Sequence, residues 1–385
     1  MATKFSLYTL GLVVILLTVI TIVQVHNYAP TPMDWKIYSR AANIYVDGLD
    51  PYDQSNIKAY TGEDYPFRYA PITLPFFEFI TNYNHYIIWG IVCLLIFLIM
   101  WRADPEFKPM LFFILLLTGF MSPFKNFTIG NIGLLEMLFF TGAVYFLFKK
   151  KYELAAVSFA FMAIFKAVPL AYALVFLLIP LVPFWKKVWY GCITGMVYIF
   201  LQFMGLVLFP TYFKTYFGLS FGGYPVVDSS GYFNPTTISV LKEIFFNHIV
   251  LVVIAYILIA LILLVMLAFV YEEIPFEKVF ALGVISIMLL LPELKHFSYV
   301  MAIIPIYLLI KDMKVNKQII VYSIVAIVPL VEALLSFYAG NVPYNTMWMF
   351  FYNNTPWLCL VAAFIICYKD IVKTYDIRVE GNYDD

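Results

Sequence analysis

The chain has 385 residues, 63% of them hydrophobic and only 12% charged, with 24 basic side chains balancing 24 acidic ones and a mean hydropathy of +0.87. So few charges cannot cover a water-facing surface for a chain of this length, which excludes a soluble globular protein, and the neutral balance gives no basis for binding nucleic acid. The composition predicts a polytopic all-α membrane protein, one integral membrane domain over residues 1–385 with membrane lipids as its surroundings.

Crossing a bilayer takes about 20 apolar residues per helix. The first candidate span is residues 5–25, longer than the core of a signal peptide. It is followed by His26-Asn27-Tyr28 instead of a small-residue cleavage site, so it is expected to stay as a span. Further candidates are 86–101, 110–121, 129–148, 154–165, 169–184, 188–209, 249–270, 279–291, 299–310, 319–338 and 348–368, which makes about twelve helices. Lysine and arginine cluster at Arg102 and Lys108, Lys149 to Lys151, Lys186-Lys187, Lys311 to Lys317 and Lys369 to Lys373. Twelve spans with the N-terminus inside put all these clusters in the cytoplasm. The polar segments 26–85, 122–128, 210–248, 292–298 and 339–347 then share the outer face, and 26–85 and 210–248 are the two large outer loops. Chemistry is therefore expected on the extracytoplasmic side of a cell membrane. The four cysteines lie in or beside apolar runs without the spacing of a disulfide framework or a zinc site, and are expected to be buried thiols.

The first outer loop opens on "MDWKIYSRAANIYVDGLDPYDQ". Trp35, Tyr38, Ala42 and Tyr45 recur at helical spacing while Asp34, Arg40, Asn43 and Asp47 fall elsewhere on the wheel, which predicts a short amphipathic helix lying at the interface and ended by Gly48. Asp50 and Asp53 read as turn residues around Pro51, not as a metal pair, and no metal site is predicted anywhere. Prolines 66, 71 and 75 then favour a broken entry into the bilayer. Two roles fit Asp34, a cap for the helix and a carboxylate that takes a proton from a bound hydroxyl, and they do not exclude each other.

The combination of Asp34, Tyr38, Ala41-Ala42, Gly48, Pro51-Tyr52, Phe67, Tyr69 and Pro71 resembles the first outer loop of glycosyltransferase family 87. Further along, "IGNIGLLEML" at 129–138 resembles that family's Gly-Gln-x-Asn-x-Leu segment, with Asn131 in place of the glutamine. "FMAIFKAVPLAYALVFLL" at 161–178 resembles its Lys-x-x-Pro hairpin, "PELKHFSYVMAIIP" at 292–305 its late histidine loop, and Asn234-Pro235-Thr236 loosely its Asn-Gln-Ser. The resemblance implies a GT-C-like bundle and a membrane glycosyltransferase that moves a hexose, mannose being one candidate, from a polyprenyl-phosphate sugar to a glycolipid or glycan acceptor. The displacement would be inverting and need neither metal nor other cofactor. In that scheme Asp34 takes the position of the catalytic base, and Tyr38, Tyr69, Asn131 and Asn234 line the substrate site.

Lys166 is a lone lysine between two apolar runs, and such a cation is costly without an anionic partner, so a donor phosphate is one expectation and snorkelling at a hairpin apex the other. His296 and Lys295 share the outer side and suit a phosphate or sugar hydroxyl, or a plain interfacial role. Arg68 fits phosphate through its planar fork and fits a headgroup anchor equally well. Aromatics in 212–233 are candidates for stacking on sugar faces. A transporter or flippase is the rival class, but inverted repeats and midplane charges are not visible. An O-antigen-type polymerase or ligase would be expected to carry an arginine-rich outer loop, and the first outer loop has only Arg40 and Arg68.

Overall fold

A computed structural model describes residues 9, 11–13, 15–16, 33–62, 67–221, 234–338 and 347–380. The first expected span, the aromatics of 222–233 and the segment 339–346 thus lie largely outside the described residues. All regular structure among the described residues is helical.

Among the described residues, four helices are long and apolar enough to cross a bilayer: His85–Ala103, Phe184–Leu208, Ile249–Val270 and Asn353–Thr374. Helix Val315–Tyr338, of 24 residues, covers the expected span 319–338, and several other expected spans among the described residues are shorter or broken. Pro109–Thr118 ends where Phe120 takes a left-handed φ of 54°, and the run expected at 299–310 starts as a 3-10 turn, His296–Ala302, before the α-helix Ile303–Ile310. Residues 152–185 form the expected hairpin, with helix Tyr152–Ala163 followed by the 3-10 stretch Val168–Leu178, and Lys166 lies at the break between them. A 3-10 stretch rises 2.0 Å per residue instead of 1.5 Å, so eleven residues reach about 22 Å where an α-helix would reach about 16 Å. Pro169 occupies the first turn of this stretch, where its missing N–H costs nothing.

The core is built from faces that these helices turn inward. Gly133–Phe148 packs between His85–Ala103 and Tyr152–Ala163 and buries Leu134, Met137, Phe140, Val144 and Leu147. Ile249–Val270 buries only Val252, Leu263 and Val270 and leaves the rest of its apolar surface outside, the arrangement of a helix facing lipid. The same effect corrects the expectation of four buried thiols. Cys359 and Cys367 are buried, Cys93 is half-buried and Cys192 is exposed, because Phe184–Leu208 leaves its outward face to the bilayer.

The clusters around Lys108, Lys311 to Lys317 and Lys369 to Lys373 meet at one end. Lys311 bonds to Asp104 at 2.8 Å and to Glu277 at 3.3 Å, Lys278 pairs with Asp312 at 2.5 Å, Lys317 pairs with Asp370, and Lys108 donates to the Lys311 carbonyl. The run His296–Ile310 has Lys311 at its far end and His296 at its start, so the residues described next sit a full helical run away from this basic end.

Candidate active site

The helix Met33–Val46 forms where the spacing predicts it. It buries Trp35, Tyr38, Ala41, Ala42 and Ile44, and ends in a Schellman turn in which Gly48 has φ 74° and Leu49 N–H reaches the Ile44 carbonyl. Asp34 lies inside its first turn, where a carboxylate meets the positive end of the helix dipole. Asp53 caps the next helix, Gln54–Thr61, by accepting from Ser55 N–H at 2.8 Å, and Asp50 accepts from Tyr52 N–H at 2.9 Å, so both are the turn residues their sequence predicts.

Asp34 is positioned by the link between helices Ser122–Ile129 and Gly133–Phe148. Gly130 ends the first of these with φ 70°, and Asn131 N–H returns to the Asn126 carbonyl at 3.0 Å. A Cβ on Gly130 would sit 2.5 Å from Trp35 Cβ and 3.1 Å from Trp35 N, so the chain can approach the Asp34 helix this closely only with glycine here. Asn131 then spends both ends of its amide. Its Oδ1 accepts from Gly133 N–H at 2.9 Å, and its Nδ2 donates to Asp34 Oδ2 at 2.5 Å. Burial raises the Asp34 pKa above the ordinary carboxylate value, while the bond from Asn131 and the ammonium groups of Lys166 and Lys295 pull it back down. Gly130→Ala is expected to push the Asp34 helix off this turn, costing about 2 kcal/mol of stability together with most of the activity. Thermal unfolding in detergent alongside an activity assay tests it, and an unchanged variant would mean that the close approach does not matter.

Tyr38 and Tyr69 support this arrangement from below. Their hydroxyls lie 2.8 Å apart, Ile132 N–H donates to Tyr38 at 3.4 Å, and Tyr52 donates to the Tyr69 carbonyl at 2.6 Å, all within a buried aromatic cluster with Phe67 and Phe77. Both side chains are buried, and each hydroxyl has the other as a hydrogen-bond partner. The Asn234 Oδ1 accepts from Leu294 N–H at 2.6 Å and its Nδ2 donates to the Pro292 carbonyl at 3.5 Å, which fixes the loop that leads into Lys295 and His296. Phe209 and Tyr212 pack on Tyr45, and Tyr216 packs on Tyr52, so helix Pro210–Phe221 is held to this region by aromatic contacts.

Lys166 faces the same region. Its ammonium lies 4.6 Å from the centre of the Phe297 ring and interacts electrostatically with Asp34, Tyr69 and Glu293. Among the described residues its nearest anion is Glu136 Oε1 at 3.7 Å, the single carboxylate in 129–148 and one that the sequence alone did not single out. His296 is buried, with Nε2 3.2 Å from the Asn353 carbonyl, and Lys295 is half-buried and acts on Asp34. Asn126 donates to the Phe297 carbonyl at 2.9 Å and ties this loop to the Gly130 turn. Arg68 is exposed, and the charges acting on Asp34 come from Lys166 and Lys295 instead.

An apolar helical bundle with a carboxylate, two lysines and a histidine assembled at one end is an integral membrane protein with a polar site at its rim. Residues 65–292 match glycosyltransferase family 87, more than half of the chain, and the protein belongs to that family of membrane glycosyltransferases. The match includes Arg68, Tyr69, Asn131, Lys166 and Asn234, begins after Asp34 and Tyr38, and ends before Lys295 and His296. No curated protein matches the chain.

Proposed function

We propose that the protein transfers a hexose from a polyprenyl-phosphate sugar to a glycolipid or glycan acceptor at the extracytoplasmic face of the membrane, with inversion at the anomeric carbon and Asp34 as the base. The observation that carries this reading is Asp34 itself. It is a half-buried carboxylate held by Asn131 within electrostatic reach of Lys166 and Lys295. Mannose is the first sugar to try.

In this reaction the acceptor oxygen forms a bond to the anomeric carbon as its proton passes to Asp34. The bond from that carbon to the phosphate oxygen breaks, and its electron pair leaves on the polyprenyl phosphate. The departing group gains one negative charge, and cations set in advance where that charge develops lower the barrier. Lys166 and Lys295, whose ammonium groups act on Asp34, are the cations proposed for this role, with His296, next to Lys295 in the chain, as a further hydrogen-bonding group. A base works best with a pKa close to the working pH, and burial moves Asp34 in that direction.

Purified protein incubated with a panel of labelled polyprenyl-phosphate sugars and extracted membrane lipids is the direct test. Transfer from at least one such donor is expected, and transfer from a nucleotide sugar alone would overturn the donor assignment.

A further inference from the structure

The Glu136 carboxylate is 2% exposed, in the otherwise apolar helix Gly133–Phe148, and its Oε1 has no hydrogen-bond partner among the described residues. Lys166 Nζ is equally enclosed and likewise without a hydrogen bond, although part of its stem is open, the side chain as a whole being 31% exposed. The two charges stand 3.7 Å apart, inside the range of strong attraction but too far for a committed hydrogen bond.

The protein contains its own contrast. At the basic end, Asp104 and Lys311 are more deeply buried, at 1% and 3% side-chain exposure, and close to 2.8 Å, with Tyr307 also donating to Asp104 at 3.0 Å and Glu277 also accepting from Lys311 at 3.3 Å. That is a finished ion pair with its lone pairs and protons satisfied. Glu136 and Lys166 form an unfinished one. A buried pair left open in this way gains little for the fold, because desolvation is incurred in full and hydrogen bonding is forgone.

We propose that Glu136 is a positioning residue for the donor. It holds the enclosed Lys166 ammonium charged without engaging its N–H groups in a hydrogen bond, which leaves them to be taken up by the phosphate when the lipid-linked sugar enters. This rests on the donor class proposed above. The other groups facing Lys166 are Asp34 from helix Met33–Val46, Tyr69 from the segment before Pro71, and Glu293 from the loop after helix Phe276–Leu290, with the Phe297 ring centre 4.6 Å from the ammonium. Lys295 and His296 lie on the same loop, and Tyr172 faces Glu136 from the Val168–Leu178 stretch. Of these anions Glu136 is the one within salt-bridge distance, and it comes from a buried helix that cannot swing away.

The test uses the full chain in nanodiscs and measures binding of polyprenyl phosphate, with the uncharged polyprenol as control, at about pH 6 and about pH 8.5. Wild type is expected to bind the phosphate at both. E136Q keeps the shape and removes the charge, so a lysine left without its counter-charge loses its proton more readily. The variant is expected to bind about tenfold more weakly than wild type at the higher pH and within about twofold of it at the lower one. K166M is expected to bind weakly at both, and adding E136Q to K166M to cost nothing further. E136D, with a carboxylate one methylene shorter, is expected to fall between E136Q and wild type, and carries the comparison should E136Q fail to fold.

A wild type that ignores the phosphate would sink the donor reading and this proposal with it. Wild-type binding with an E136Q variant that is unaffected, equally weakened at both pH values, or further weakened in the K166M background would sink this proposal alone.

Discussion

Asp34→Asn is expected to abolish transfer, by about a thousandfold, while leaving the chain folded. Asparagine has the shape of aspartate, and its Oδ1 can still accept from Asn131 Nδ2, so the Gly130 turn and the Asp34 helix keep their contact. What is lost is the ability to take a proton. Burial raises the folded-state pKa of Asp34 above that of the unfolded chain, so the native state holds this proton more tightly. Stability therefore falls as pH rises from the ordinary carboxylate value of 3.8 through the raised one, and the ionised group weakens the fold at neutral pH. The variant should melt at the same temperature as wild type or a little higher at pH 7, and the wild-type kcat/KM should decline as pH drops through a value above the usual carboxylate range. Initial rates with a labelled lipid-linked sugar, measured across pH, decide it. Retained activity would remove Asp34 from the reaction, and a lower melting temperature would make it a structural residue.

Local features of this protein were legible in the sequence because they are written in neighbouring residues. The Met33–Val46 helix follows from the spacing of Trp35, Tyr38 and Ala42, its end from Gly48, and the break at Lys166 from its place between the apolar runs 154–165 and 169–184. The grouping of Asp34, Asn131, Lys166, Lys295 and His296 was legible only through the family resemblance, since no periodicity encodes which loops meet. Long-range partners were not legible at all. Glu136 reads as one acid in an apolar run until Lys166 is set beside it, and Asp104 and Lys311 are separated by 207 positions. Nor could the sequence show that the Tyr38 and Tyr69 hydroxyls bond to each other or that Asn234 holds Leu294 N–H, since both depend on packing depth. Span lengths were legible only in part, because hydropathy does not report where a helix tightens into 3-10 geometry or breaks at a left-handed residue such as Phe120.

Lys311→Met is the substitution expected to cost the most stability, about 3–5 kcal/mol. Asp104 and Lys311 are 1% and 2% exposed, and the lysine is the only cation bonded to that carboxylate among the described residues. Methionine fills the same volume but leaves Asp104 with only the Tyr307 hydroxyl at 3.0 Å and the Glu106 N–H at 3.0 Å, and an uncompensated buried charge is far more costly than an absent pair. The damage would spread along a chain of contacts. Tyr307 also receives Lys108 N–H at 2.8 Å, and Gln318 donates to the Lys311 carbonyl at 3.0 Å, so one network ties the start of Pro109–Thr118 to Phe276–Leu290 and Val315–Tyr338. Replacing Asp104 with asparagine as well removes the stranded charge, and the double variant should recover a large part of the loss. Unfolding midpoints in detergent for the two single variants and the double one measure this coupling. Because the pair lies a helical run away from Asp34, transfer per folded molecule should remain at the wild-type level in all three. A double variant no more stable than Lys311→Met would show that the network acts through packing and not through charge.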